Sequence, residues 1–380
     1  MKQMAQLDDN SIDSIVTDPP YGLSFMGKKW DYDVPSVDIW SECLRVLKPG
    51  GHLLAFAGTR TQHRMAVNIE DAGFEIRDMI AWVYGSGFPK SLNIGKAVDK
   101  MQGNERKVVE TYVKKSGDFN GENGIGRGNY DDIELQKTKG NSEWEGWGTA
   151  LKPALEPITV ARKPIKGTVA DNVLEWGTGG INIDDSRIQH DEPVKTTTRT
   201  EKGNVFNDKN SGLRNNPSNM ASADPNGRFP ANLIHDGSDE VVRMFPSEED
   251  VSQSRFFYCA KASKSDRDEG LDAFGEQRTG GMQATADGSM LTGSGNERAT
   301  KRRNIHPTVK PTDLMRYLVK LVTPPNGIVL DPFMGSGSTG KACVSEGFSF
   351  IGIEMQQEYM DIAKARIERE KKKGIQSDLF

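Results

Sequence analysis

The sequence predicts an α/β domain built on a mostly parallel sheet, and three observations carry that reading. Short apolar runs alternate with helical spacings at both ends of the chain. A glycine-rich turn, Gly335-Ser336-Gly337-Ser338-Thr339-Gly340, sits between a strand pattern and a helix pattern. A tandem proline, Asp18-Pro19-Pro20-Tyr21, directly follows another buried strand. Strands that alternate with helices pair in parallel, because each helix carries the chain back across a face of the sheet.

Taken in order, Ser14 to Thr17 reads as a short buried strand ending at Asp18. Val37, Trp40, Leu44 and Leu47 fall at helical spacing, and Lys48-Pro49-Gly50-Gly51 reads as the terminator and turn. Leu53 to Ala57 is a strand, Thr61 to Ala72 a helix closed by Gly73, and Phe74 to Tyr84 a strand. From Gln102 to Gly148 the chain is rich in Gly, Asn, Lys and Glu with little periodicity, which predicts a loop insertion. Glu156 to Lys163 resumes the strand pattern. Gly179 to Arg303 is irregular, with strand-like pieces at Phe229–His235 and Arg255–Ala260 and polar loops at Thr196–Asp224 and Gly280–Thr300. Order returns with a helix from Thr312 to Val322 and a strand at Ile328–Leu330 that runs into the glycine turn. A helix from Lys341 to Glu346, a strand at Phe350–Ile353 and a charged amphipathic helix from Glu358 to Lys373 complete the unit.

Composition narrows the function classes. No apolar run approaches the ~18 residues of a membrane span, and no basic-then-apolar leader opens the chain. Cys43, Cys259 and Cys343 have neither disulfide-framework nor zinc spacing, which fits a reducing cytoplasm, and neither they nor the five histidines predict a metal. The net charge of -5 argues against a protein that coats nucleic acid, although a local basic cleft could sit on an acidic body. Lys28-Lys29, Arg162-Lys163-Pro164-Ile165-Lys166 and Lys301-Arg302-Arg303 are the runs available to build one.

The chemistry lies in two motifs. Glycines in a strand–turn–helix allow a tight turn and a close backbone approach to a ligand, and Glu354 closes the next strand where a carboxylate would accept from ribose hydroxyls. That motif alone fits a dinucleotide as well as S-adenosylmethionine. Asp18-Pro19-Pro20-Tyr21 separates them. An exocyclic amine on a base is a poor nucleophile because its lone pair is delocalised into the ring. A carboxylate and a backbone carbonyl that accept its two hydrogens localise that pair, prolines turn their carbonyls outward without donating, and an aromatic ring offers a face for a base swung out of the duplex.

With these motifs in hand, the sequence resembles the beta class of DNA amino-methyltransferases, the permuted branch acting on adenine N6 or cytosine N4. Thr17-Asp18-Pro19-Pro20-Tyr21-Gly22, Leu47-Lys48-Pro49-Gly50-Gly51, His306-Pro307-Thr308-Val309-Lys310-Pro311 and Asp331 to Thr339 carry the resemblance, with the catalytic motif ahead of the cofactor motif. It implies a Rossmann-like methyltransferase fold with permuted motif order and an irregular target-recognition insertion. Residues 1–178 would be the catalytic half with its loop at 102–148, residues 179–303 would read DNA, and residues 304–380 would be the cofactor half. It implies Asp18, Pro19, Pro20 and Tyr21 as catalytic. For S-adenosyl-L-methionine it implies Asp331, Phe333, Gly335, Gly337, Ser338, Thr339 and Glu354, with His306, Thr308 and Lys310 on the methionine side. Double-stranded DNA is the implied partner; a homodimer and a companion restriction endonuclease are further partners it allows.

Asp at the head of the motif favours adenine N6 over cytosine N4, since the adenine members commonly carry Asp there and the cytosine members Ser. An oxidoreductase resting on the glycine turn alone would leave Asp18–Tyr21 without a role. A noncatalytic DNA-binding remnant stays open because Met4 and Leu7 open the chain inside a helix. Relatives usually place, just upstream, a short strand ending in Gly-Asp near the cofactor's adenine. The expectation is a start further upstream, or weak cofactor binding.

Overall fold

The structure, a computed structural model, describes residues 2–23, 29–85, 87, 91–114, 133–189, 226–248, 251–260, 265–278 and 301–377. The expected loops Thr196–Asp224 and Gly280–Thr300 lie outside the described residues, as does Lys28. In chain order the first elements are β1 (Ile12–Thr17), α1 (Val37–Val46), β2 (Leu47–Phe56), α2 (Gln62–Asp71), β3 (Glu75–Val83) and α3 (Ile94–Gln102). Then come β4 (Lys107–Lys114), β5 (Ile133–Lys139), β6 (Leu155–Arg162), α4 (Val169–Trp176), β7 (Leu233–His235), α5 (Asp239–Val242), β8 (Ser247–Glu248) and β9 (Val251–Ser252). The last are β10 (Tyr258–Cys259), α6 (Ser265–Asp268), β11 (Gln277–Arg278), β12 (Lys301–Arg302), α7 (Thr312–Val322), β13 (Ile328–Asp331), α8 (Ser338–Ser345), β14 (Ser349–Gly352) and α9 (Gln357–Ser377).

The chain divides into two compact units, the first comprising Met1–Gly85, Leu155–Gly275 and Arg303–Phe380. Its sheet has eight strands in the order β10-β7-β3-β6-β2-β1-β13-β14, all parallel except β6, which runs antiparallel to both β2 and β3. Every residue of β1 is buried, as expected of a central strand covered on both faces. Alternation then sorts the core. Ile15, Leu53 and Ala55 point to one face and pack with Trp40 of α1 and Met65 and Ile69 of α2. Val16, Leu54 and Phe56 point to the other and pack with Leu314 and Leu318 of α7 and Ala342 and Cys343 of α8. This is the mostly parallel, Rossmann-like α/β fold that the motif order implies. Among the described residues no helix is long and apolar enough to cross a membrane.

Three local readings change. Lys48–Gly51 is not a turn but the opening of β2, where a register shift against β1 absorbs the extra residues and Gly50 takes a φ of +80°. The region 179–303 is partly core: β7 and β10 extend the main sheet, and only two residues of Arg255–Ala260 are strand. Arg162 and Lys163, expected in a basic run, are spent internally. The Arg162 guanidinium is buried against Glu75 at 2.7 Å, and the Lys163 ammonium donates to Asn10 Oδ1 and the Leu47 carbonyl, both at 2.7 Å. A long aliphatic stem lets such residues end wherever acceptors are buried, so a run of like charge does not by itself define a surface patch.

The second unit comprises Ser86–Ala154 and Glu276–Arg302. Part of the stretch expected as a loop, residues 102–148, is the antiparallel hairpin β4–β5. The Arg106 guanidinium bridges Asp99 and Glu145, and Trp147 sets its ring edge-on to Trp144 at 5.1 Å between centroids. β4 carries the strand formers Val108, Val109, Thr111, Tyr112 and Val113 between lysines, and β5 alternates only over Ile133–Gln136, so the polar composition around them hides the hairpin.

Candidate active site

All the residues of the site belong to the first unit. The parallel pairing of β1 with β13 brings two motifs more than 300 residues apart to one edge of the sheet. Thr17, the last residue of β1, donates its hydroxyl to Asp331 Oδ1 at 2.6 Å. The Thr339 hydroxyl donates to Asp331 Oδ2 at 2.6 Å, and the Phe333 amide to Oδ1 at 3.1 Å. Asp331 is thus wholly engaged inside the protein, tying the strand that carries Asp18 to the glycine turn. Burial is the main cause that raises its pKa to about 6, against the hydroxyl and amide donors that lower it.

That shift gives a signed expectation. A carboxyl whose folded pKa exceeds its ordinary value of 3.8 contributes stability that is present below that value and lost as pH rises through about 6. Asp331→Asn keeps the acceptor for Thr17 and removes the charge. The melting temperature of the wild type relative to Asp331→Asn is therefore expected to fall between pH 4 and pH 6.5, by scanning calorimetry. A difference that stays flat over that range would mean that Asp331 is not held in its acid form.

Asp18 follows β1, with Pro19 buried and Pro20 half-buried. Its carboxylate is shared. Tyr21 Oη lies 2.7 Å from Asp18 Oδ1, and the Lys310 ammonium donates to Asp18 Oδ2 at 2.8 Å. Glu156, on β6, completes the cluster: its Oε2 lies 3.0 Å from both Lys310 Nζ and Tyr21 Oη, and its Oε1 accepts from the Tyr84 hydroxyl at 3.3 Å. Burial pushes the Lys310 pKa down, but Asp18 and Glu156 more than offset it and hold it above the usual lysine value. Burial, then the same two carboxylates, raise Tyr21 well above the usual phenol. Sequence reading missed Glu156 and Asp31. A lone Glu in a strand pattern carries no spacing signal. Asp31 is buried, and its Oδ1 accepts from the amides of Tyr21 at 2.6 Å and Gly22 at 3.0 Å, fixing the turn. Gly22 has φ +67°, and a Cβ there would stand 2.9 Å from the Val34 nitrogen.

In the glycine turn the residues are pressed by the protein itself. A Cβ on Gly335 would meet His306 Nε2 at 2.8 Å, and one on Gly337 would meet the Ala363 side chain of α9 at 2.9 Å. Ser338 and Thr339 are the first residues of α8, both buried, and Gly337 caps it. Glu354 follows β14, where its Oε2 accepts from the Gly335 amide at 3.0 Å and its Oε1 from the Gln356 amide at 2.8 Å. Phe333 lies half-buried, its ring 6.3 Å from that of Trp40. His306 donates Nδ1–H to the Thr308 carbonyl and packs edge-on to Tyr359 at 4.6 Å. Burial first, against that hydrogen bond, lowers the His306 pKa to about 4, so its imidazole is neutral at physiological pH. The expected residues therefore fall into two neighbouring groups. Asp18, Tyr21 and Lys310 form a charged cluster with Glu156. Asp331, Phe333, the glycine turn, Glu354 and His306 form the turn and its supports.

Type II methyltransferase M.HindIII of Haemophilus influenzae is 24% identical to this chain over 413 residues, covering 97% of this chain and 93% of that protein. Type II methyltransferase M.ScaI of Streptomyces caespitosus is 38% identical over 77 residues, which is 20% of this chain and 25% of that protein. The solved structure of PvuII DNA methyltransferase (cytosine-N4-specific) aligns with 96% of this chain and 82% of that one, at 14% identity and a TM-score of 0.42. The family model described as DNA methylase matches residues 12–365. The chain belongs to that family, the S-adenosylmethionine-dependent methyltransferases of the N6/N4 type.

Proposed function

We propose that this chain methylates the N6 amine of adenine in double-stranded DNA, with the target base turned out of the helix toward Asp18. The observation that supports this most is the Asp18 carboxylate at the carboxyl end of β1, linked through Thr17 and Asp331 to the glycine turn. Open parallel sheets bind ligands at that edge. Asp18 accepts an N–H of the amine, which draws the lone pair out of the ring, and it takes the proton that the nitrogen sheds once alkylated. A carbonyl of the Pro19-Pro20 segment accepts the second N–H, and the Tyr21 ring carries the base by stacking. Asp rather than Ser at position 18 is the feature that favours adenine over cytosine.

The residues of the turn suit S-adenosylmethionine. Each Glu354 oxygen accepts a single backbone N–H, and a carboxylate has lone pairs left for two ribose hydroxyls. When bound, that cofactor supplies an electrophilic methyl group. Phe333, the turn amides and the His306–Lys310 segment would hold it.

The test is product analysis. Duplex DNA incubated with the protein and S-adenosylmethionine carrying a labelled methyl is digested to nucleosides and resolved by mass spectrometry. Labelled N6-methyldeoxyadenosine is the expected product. Labelled N4-methyldeoxycytidine would overturn the adenine assignment, and no labelled nucleoside at all would overturn catalysis.

A further inference from the structure

The Tyr21 phenol has one hydrogen and two carboxylates within reach, Asp18 at 2.7 Å and Glu156 at 3.0 Å. The Lys310 ammonium is divided between the same two, at 2.8 Å and 3.0 Å. Both Asp18 oxygens are therefore engaged by donors of the protein. A carboxylate loaded in this way is a weaker acceptor for an incoming amine and a weaker base for its proton. Glu156 is held from behind by the Tyr84 hydroxyl at 3.3 Å and sits on β6 opposite Trp82 of β3, in the interior of the sheet. Its position is set by the scaffold and not by the cluster it serves. On the reading of Asp18 given above, we infer that Glu156 is a positioning residue of methyl transfer, the alternative acceptor to which Tyr21 and Lys310 turn when an exocyclic amine claims Asp18.

The exchange needs no net change in hydrogen bonding. The phenolic hydrogen rotates from Asp18 Oδ1 to Glu156 Oε2, the ammonium keeps Glu156 as its partner, and the amine takes the acceptor sites vacated on Asp18. When the alkylated nitrogen sheds its proton, Asp18 gains it and Lys310 remains charge-balanced by Glu156. Without Glu156, both donors would stay on Asp18, because a buried ammonium and phenol cannot be left unpaired cheaply. The charged and titratable groups facing Lys310 are Asp18 and Tyr21 after β1, Glu156 on β6 and His306 in its own segment, with Tyr84 beyond Glu156. The rings of Tyr21 and Phe56 lie 5.4 Å and 4.8 Å from its nitrogen.

The experiment compares full-length wild type with Glu156→Gln and Glu156→Asp. The single-turnover methylation rate of Glu156→Gln is expected to fall about ten- to a hundredfold, the loss of one hydrogen bond to a charged group. Its affinities for S-adenosylmethionine and for DNA should stay near wild type, because Glu156 is proposed to act on the amine step alone. The Lys310 pKa of this variant should fall, since Lys310 has lost one of the two carboxylates that raise it. In the ligand-free protein the same downward shift should be seen for Lys310 by NMR of ¹³C-labelled lysine. Glu156→Asp should recover part of the rate. A rate equal to wild type, or a slow Glu156→Gln protein whose Lys310 titration does not move, would overturn the inference. Wild-type turnover assayed alongside tests the underlying methyltransferase reading separately, and the NMR titration tests the Glu156–Lys310 coupling whatever that assay returns.

Discussion

Asp18→Asn is expected to remove methyl transfer almost completely while leaving the fold and cofactor binding in place. Asn has the same shape, so Pro19 and Pro20 keep their path and Asp31 still holds the Tyr21 and Gly22 amides. Lys310 keeps Glu156 at 3.0 Å, so the substitution leaves no buried ammonium unpaired. What is lost is an anionic acceptor aimed at the amine, and an amide NH2 turned toward that amine would oppose donor to donor. Losing one preorganised polar group at a reacting centre typically costs about 10²–10³ in rate, or roughly 3–4 kcal/mol. Because Asp18 is also proposed to receive the proton, the upper end of that range is the expected value. Single-turnover methylation with labelled cofactor gives the rate, and isothermal titration gives the binding constant. Near-wild-type turnover would take Asp18 out of the mechanism. Loss of cofactor binding together with activity would mean that the carboxylate serves the cofactor and not the amine.

Much of this was legible from residue order. Asp18-Pro19-Pro20-Tyr21 and the Gly335 turn have fixed spacings because each is a backbone device, and backbone devices are written in consecutive residues. The central strands were legible in their apolar parts, Ser14–Thr17 of β1 and Leu53–Phe56 of β2, while the Lys48–Gly51 opening of β2 carries turn residues and hid as a turn. What sequence could not reveal is what the sheet brings together. Glu156 lies 135 residues from Tyr21, and Lys310 lies 292 from Asp18. Their meeting depends on the antiparallel insertion of β6 and on the β1–β13 pairing, and neither has a local signature. The Tyr21 hydroxyl was overlooked for the same reason. A flipped base asks only for the ring, whereas the structure gives the oxygen two carboxylates and an ammonium. The basic run at Arg162–Lys166 was misread at the level of side-chain reach. Lys163 looks like surface charge by composition, yet its ammonium closes carbonyls between β2 and the residues ahead of β1.

The strongest structural dependence of the turn falls on Arg366, a fully buried side chain of α9 that no motif announces. Its guanidinium donates to the Ser336 carbonyl, to Ser336 Oγ at 3.0 Å and to the Asp266 carbonyl at 2.6 Å. Among the described residues its Nε has no partner. Burial is the main cause that lowers its pKa to about 10, so it stays charged at neutral pH. Among the described residues no carboxylate forms a salt bridge with this cation, which makes it expensive to keep in the core, and its three bonds hold the middle of the glycine turn against α9 and the segment around α6. Lys341 of α8 reinforces the same segment, buried and 3.0 Å from Glu269. Arg366→Met keeps most of the length and removes every donor, stranding two carbonyls that water cannot easily reach. Hydrogen bonds from charged donors are worth about 1.5–3 kcal/mol each, and relief of the buried charge offsets part of the loss, so a net destabilisation of roughly 3 kcal/mol is expected. The more specific consequence is at the turn. With Ser336 released, the ends of the turn keep Asp331 on Phe333 and Thr339 and Glu354 on the Gly335 amide, but its middle is left to the packing of Gly337 on Ala363, and S-adenosylmethionine affinity should weaken by about tenfold, one hydrogen bond's worth of lost preorganisation. Thermal denaturation measures the first effect, and calorimetric titration well below the melting temperature measures the second. A variant that melts early but binds cofactor as tightly as wild type would show that Arg366 serves the core alone, and that Asp331, Glu354 and the close fit of Gly337 on α9 are enough to shape the turn.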